Sequence, residues 1–267
     1  MSPVGDNIIP VTIETKPEHE LSTGARPSGI TTEQAAATNV QQMFDTIAPT
    51  YDRANHLLSA GLDRYWWNRT ARLFRPILQN PDAVILDLCC GTGDMTLALY
   101  RHRPSVPNAA PILAIDFSHQ MLSRGAAKFA SHNILPIEAD ALHLPLASSS
   151  VDLITTAFGF RNLANYEEGL AELHRVLRPG GQLAILEANQ PEGLTGALYN
   201  LYFKSILPRL GGLISGKPSA YRYLPASVER FPRPPRMLQL MRNVGFANPT
   251  WTGYTFGTAG LYHAAKP

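Results

Sequence analysis

Apolar positions along the 267 residues fall into successive rhythms. From Asn39 they recur at helical spacing, with Val40, Met43, Phe44 and Ile47 on one face until Pro49 breaks the run. A second helical stretch is predicted over residues 62–78, LDRYWWNRTARLFRPIL, apolar on one side and arginine-rich on the other. From Ala83 the rhythm changes to short continuous apolar runs: AVILDL, PILAIDF (111–117), NILPIEA (133–139), VDLITTAF (151–158) and GQLAILEA (181–188). Helical stretches at 94–101, 119–130 and 166–177 separate them. That alternation predicts an α/β fold, a parallel sheet covered by helices on both faces. RPGG at 178–181 is expected to stop the third of these helices before its strand begins. After Pro191 the pattern is helical again in NLYFKSILPRLGGLI (200–214) and over 235–244. PTWTGYTF and GLYHAA close the chain as an expected antiparallel pair at the sheet edge.

Residues 1–38 carry Pro, Gly, Ser and Thr without sustained periodicity, and five acids against two bases, Lys16 and Arg26. They are expected to form a disordered or loosely attached tail. Residues 39–267 are expected to form one domain, with 39–80 as a helical cap and 191–245 as a helical insertion facing substrate and membrane. The charge balance narrows the partners. A net charge of +2 with 16% charged residues is too even for a typical nucleic-acid binder. The two cysteines are adjacent, so no disulfide framework is expected, and a reducing cytoplasm is the expected location. No run of about 18 apolar residues predicts a spanning helix. The first residues lack the basic start and apolar core of a signal peptide.

The chemistry concentrates around LDLCCGTGDM, residues 86–95. A strand, a tight turn and a helix form a cofactor cradle, in which Gly91 and Gly93 supply positive φ and close backbone approach. A dinucleotide fingerprint needs a third glycine where Thr96 stands, and no Lys-Ser/Thr follows to make a phosphate loop. Acids surround the turn. Asp87 and Asp94 flank it, Asp116 ends the second predicted strand, and Asp140 follows the third. Asp116 is placed to accept hydrogen bonds from ribose hydroxyls, and Asp140 to meet an adenine amine. So many carboxylates suit a cationic cofactor better than a pyrophosphate, and S-adenosylmethionine carries a sulfonium, an ammonium and no phosphate. The cysteines read as small packing residues beside the turn, and the eight histidines show no metal-ligand spacing, so no metal is expected.

LDLCCGTGD, AIDFSHQML, ADALHLP, FGFRNL and HRVLRPGGQLAILE together resemble the ubiquinone/menaquinone-type quinone C-methyltransferases. FDTIAPTYDRANHLLSAGLDRYWW and SAYRYLPASVERFP extend the resemblance over about residues 40–267. The resemblance implies a class I methyltransferase fold, Rossmann-like and seven-stranded, with S-adenosylmethionine as methyl donor. It implies a prenylated hydroquinone as acceptor, methylated on a ring carbon. It places donor contacts at Thr92, Asp116, Asp140 and Ala141; where some members carry serine before the FG pair, this chain has Ala157. The acceptor taken as expected is demethylmenaquinol, in the last step of menaquinone synthesis. A ubiquinone or phylloquinone precursor stays open, as do a catalytically silent donor-binding scaffold and a nucleotide-dependent oxidoreductase.

Carbon methylation of a hydroquinone needs a phenolic proton removed and the ring carbon held in line with the sulfonium methyl. The candidates are Arg161 to stabilise a phenolate or orient a water, Asn162 to hold a ring oxygen, and His143 as base. Tyr51 and Asp52, in the PTYD turn, are candidates to close over the site. Residues 200–242 carry eight bases and one acid, and are expected to meet anionic lipid on the inner face of the cell membrane. A homodimer is left open.

Overall fold

The computed structural model describes residues 24–27, 29–191, 196 and 218–267. The strands are β1 (Ile85–Leu88), β2 (Ile112–Asp116), β3 (Ile134–Glu138), β4 (Val151–Ala157), β5 (Leu177–Ala188), β6 (Ala247–Tyr254) and β7 (Ala259–Ala265). They form one sheet in the order β3-β2-β1-β4-β5-β7-β6. β1 to β5 are mutually parallel, and β7 lies antiparallel between β5 and β6. The terminal antiparallel pair thus sits at the sheet edge, as expected.

The period-two rule sorts the apolar runs onto two faces. Leu86, Leu88, Leu113, Ile115 and Ile154 point into one core, under helices α7 (Tyr166–Val176) and α9 (Pro234–Val244). Ile85, Ile112, Ala114 and Leu153 point into the other, under α3 (Leu62–Leu73) and α5 (Asp94–Tyr100). Helix α6 (His119–Phe129) begins at Ser118, whose hydroxyl accepts from Met121 N at 3.2 Å. Asn165 caps α7 in the same way.

Four details depart from the sequence pattern. The stretch 62–78 is two helices, because the chain turns at Phe74 (φ −98°, ψ 13°) before α4 (Arg75–Leu78), whose second residue is Pro76. Proline has no N–H to continue the ladder and is tolerated only in a first turn. RPGG does not separate helix from strand. β5 starts at Leu177, opposite Val151, and the next pairing is Leu153 with Gln182, so the four residues bulge out of the strand around Gly180 (φ +79°). Helix α1 (Glu33–Ile47) begins six residues before Asn39, capped by Thr32, so the described residues before 39 are not a loose tail. Ala25 N donates to Leu163 O at 2.7 Å, and Arg26 Nη1 to Ala164 O at 2.7 Å. Finally, Tyr51 and Asp52 open helix α2 (Tyr51–Leu58) rather than sitting in a turn. Helix α8 (Pro218–Arg230) follows the undescribed span; the expected helix at 200–214 and the bases Lys204, Arg209 and Lys217 lie outside the described residues.

Candidate donor and acceptor cleft

The sheet order reverses where β1 lies between β2 and β4, and ligands in such sheets bind beyond the carboxyl ends of the strands at that point. A cleft opens there. Its floor is the turn after β1. Cys89 (φ +52°), Gly91 (φ +55°) and Gly93 (φ +87°) lie in the left-handed region. Gly91 has nothing within 4 Å of where a Cβ would stand, so its backbone faces the open cleft. Gly93 serves packing instead: a Cβ there would meet the Phe129 ring at 2.2 Å. The same closeness explains the FG pair, since a Cβ on Gly159 would stand 2.3 Å from that of Cys89. Burial pushes both thiols well up, which leaves them as protonated packing groups.

Asp116 ties the turn to the next strand. Its Oδ2 accepts from Gly91 N at 2.8 Å and its Oδ1 from Ser118 N at 2.9 Å. Burial outweighs these bonds and raises its pKa to about 6. Asp140 and Ala141 line the cleft beyond β3, and Asp140 Oδ1 also accepts from Leu142 N at 3.0 Å. Asp87 is fully buried below the turn, where it accepts from Thr96 Oγ1 at 2.6 Å and Thr155 Oγ1 at 2.7 Å. Burial raises its pKa to about 7. It borders a smaller hollow that the turn shares with Tyr51, Asn55 and Trp67, and its bonds make it a brace. Through this bond Thr96 clamps α5 to β1. Thr92 Oγ1 donates to Asp52 Oδ1 at 2.5 Å, which fastens α2 over the turn. Lys128 reinforces that contact, reaching Asp52 at 2.8 Å and Asp94 at 3.1 Å.

The other wall is built from Tyr51, Asn162 and Phe158. Burial raises the Tyr51 pKa above its ordinary value, partly opposed by Arg161, so the phenol stays protonated near neutrality. Asn162 Oδ1 accepts from Tyr223 OH at 3.0 Å, which joins α8 to the 3-10 turn Phe160–Asn162. Arg161 is not in the cleft. Its guanidinium is buried, pairing with Glu187 Oε2 at 2.8 Å and donating to Phe158 O at 2.5 Å and Ser227 Oγ at 3.3 Å. Glu187 in turn accepts from Arg161 N at 3.0 Å. This pair holds the turn and α8 against the end of β5, with the guanidinium behind the cleft wall. His143 is not in the cleft either. Its side chain is 74% exposed, and its Nδ1 lies 3.6 Å from Asp140 Oδ2, on the outer side of that loop.

The structure thus gathers Gly91, Asp116, Asp140, Ala141, Asn162 and Tyr51 in one cleft, with Thr92, Gly93 and Asp87 supporting it. Sequence reasoning missed Glu187, Tyr223, Ser227 and Lys128. An acid closing the apolar run LAILE was the available signal for Glu187, because a carboxylate there must be buried beside its partner. Among the described residues lining the cleft none is Lys or Arg, while Asp116 and Asp140 face it. An exposed glycine backbone, a ribose-height carboxylate and an anionic lining fit a cationic nucleoside donor and disfavour a pyrophosphate.

Residues 32–266 match the model of the ubiE/COQ5 methyltransferase family. The demethylmenaquinone methyltransferase of Deinococcus radiodurans is 46% identical over 230 residues, 85% of this chain and 92% of that protein. That of Thermus thermophilus is 44% identical, over 84% of this chain and all of its own length. The ubiquinone/menaquinone biosynthesis C-methyltransferase UbiE of Geotalea daltonii is 42% identical, over 85% and 96%. Among solved structures, an S-adenosylmethionine-dependent methyltransferase from Thermotoga maritima superposes with a TM-score of 0.59 at 15% identity, covering 85% of this chain and all of that one. The carbon methyltransferase of CurJ superposes with a TM-score of 0.61 at 13% identity, covering 88% and 68%. These two speak for a class I methyltransferase fold alone.

Proposed function

The chain belongs to the ubiE/COQ5 methyltransferase family, and we propose that this member methylates a ring carbon of demethylmenaquinol, the last step of menaquinone synthesis. The observation that carries the reading is the 46% identity to a demethylmenaquinone methyltransferase across 85% of the chain. S-adenosylmethionine, when bound, supplies the electrophilic methyl group. Asp116, held ionised above about pH 6, would accept the ribose hydroxyls, and the exposed Gly91 backbone would let the donor lie close. Asp140 and Ala141 would border its base.

The acceptor ring would lie against Tyr51, Phe158 and Asn162. Tyr51, kept neutral by burial, would donate a hydrogen bond to a ring oxygen and favour the phenolate whose electron density enriches the neighbouring carbon. Asn162, its own oxygen taken by Tyr223, would offer its amide to the second oxygen. Arg161 and Glu187 keep this wall in place. Tyr51 and Phe44, in edge contact at 6.0 Å, would help exclude water. The prenyl tail makes peripheral contact with a membrane part of the proposal; among the described residues no helix is long and apolar enough to cross one.

The test is transfer of a tritiated methyl group to reduced demethylmenaquinone, beside the matching benzoquinol precursor. Label on the naphthoquinol ring alone is expected. Label on the benzoquinol alone would move the assignment to ubiquinone synthesis, and label on neither would end it.

A further inference from the structure

Phe256 is 86% exposed, and the backbone presents it at a cost. Thr255 (φ +45°) and Phe256 (φ +56°) are consecutive non-glycine residues in the left-handed region, unfavourable for a β-branched and a bulky side chain alike. Among the described residues nothing recovers that cost by burying the ring. The turn follows β6 and precedes β7, whose Ala259 pairs with Ala188 at the carboxyl end of β5. It therefore stands at the end of the sheet where the cleft opens.

The turn is continuous with α3. Trp66 Nε1 donates to Thr255 Oγ1 at 2.8 Å, and the Arg69 guanidinium lies 4.5 Å from the Tyr254 ring centroid. Arg69 also donates to Tyr65 OH at 2.9 Å. The outward face of α3 carries Leu62, Arg64, Tyr65, Arg69, Arg72 and Leu73, with Arg75 exposed on α4 beyond it. Tyr65 is 51% exposed and Leu73 57%. No exposed acid interrupts this face: Asp63 is buried, bound to His56 and to the Arg64 backbone. Trp66 meets Phe158 at 5.7 Å, so the face is one aromatic ring away from the cleft wall.

From this juxtaposition we propose that the Thr255–Gly257 turn and the outer face of α3 form a docking surface for an anionic lipid bilayer, with Phe256 inserting between headgroups. Arginines spaced along one helix match a sheet of anionic headgroups, tyrosine suits the boundary between water and acyl chains, and an unsupported phenyl gains its burial only in the bilayer. The surface would set the cleft against the membrane from which a prenylated acceptor must come. Only that purpose rests on the proposed function, because the binding itself needs no quinone.

The test uses the full chain with phosphatidylcholine–phosphatidylglycerol vesicles and with pure phosphatidylcholine vesicles. Sedimentation with the anionic vesicles is expected, falling as salt rises. Arg64→Glu/Arg72→Glu should lower partition by about fivefold or more per charge removed. Phe256→Asn keeps a residue suited to the left-handed turn, and should lower partition while melting temperature and donor affinity hold. In Phe256→Trp, the new indole should be quenched by brominated lipid. Partition unchanged in both the arginine pair and Phe256→Asn would overturn the proposal, as would an unquenched Trp. So would a loss confined to neutralisation of Arg230, Arg233 and Arg236. A shift from dimer to monomer in sedimentation velocity with partition unchanged would assign the face to a second copy instead. Vesicle binding that persists while methyl transfer to the naphthoquinol fails would leave this surface standing and remove the proposed acceptor.

Discussion

The two halves of the cleft, one proposed to hold the donor and the other the acceptor, are built in different ways. The donor half is largely main chain: a glycine backbone, two backbone amides on Asp116, and a loop closed on Asp140. Its parts come from three neighbouring parallel strand ends, β1, β2 and β3. The acceptor half is side chain throughout. Tyr51 arrives from the cap, Asn162 is held by Tyr223, and a buried Arg161–Glu187 pair fixes the turn between them. The first half follows from strand spacing and turn chemistry. The second depends on partners that meet only once the sheet and α8 have assembled.

The largest effect should fall on the acceptor half. Arg161→Met leaves Glu187 charged and buried without its partner, and is expected to cost about 3–5 kcal/mol of stability in urea unfolding. The double variant Arg161→Met/Glu187→Leu should regain most of that. A single variant that stays fully stable but loses turnover would instead return Arg161 to direct chemistry. Next comes the donor half. Asp116→Asn should weaken S-adenosylmethionine binding by about tenfold to a hundredfold in calorimetry, the range for hydrogen bonds to a charged group, with little change in acceptor KM.

The pH dependence separates the halves further. Asp116 has a pKa of about 6 in the unliganded protein, and ribose hydroxyls donating to it would favour the carboxylate. Donor affinity should therefore be complete above that pH and fall as pH drops through it, by at most about tenfold per unit for a single proton. Asp116→Asn should flatten that profile; a profile unchanged in the variant would give the titration to another group. The smallest effect is expected from Tyr223→Phe. Removing the hydroxyl that engages Asn162 should raise acceptor KM by about fivefold, near 1 kcal/mol, with donor affinity unmoved. A change in donor affinity would mean that the halves are mechanically coupled.

Much of this arrangement is legible along the chain. The apolar runs mark β1, β2 and β4 most plainly, because a strand buried on both faces needs continuous apolar residues. Gly91, Asp116 and Asp140 stand out as cleft-lining positions by their place at strand ends. Other features mislead for physical reasons. Gly-Gly in RPGG marks a positive φ, but a bulge inside a strand uses that as readily as a helix stop. Thr96 reads along the chain only as a missing glycine, whereas its hydroxyl is the partner that keeps the buried Asp87 satisfied. Histidine is a natural base as a residue type, but the loop turns His143 outward.

Local spacing determined where the strands lie, the glycine turn and the acids at its rim, because these depend on near neighbours in sequence and on a period that any reader can count. Tertiary structure decided which charges are chemistry and which are scaffold. A guanidinium is the same in FGFRNL whether it faces a phenolate or a carboxylate. Glu187 settles the matter only because β5 lies beside β4 and brings its acid, 26 residues further along the chain, to within 2.8 Å. Burial of that pair is costly unless both members are present, and burial is a property of the assembled fold.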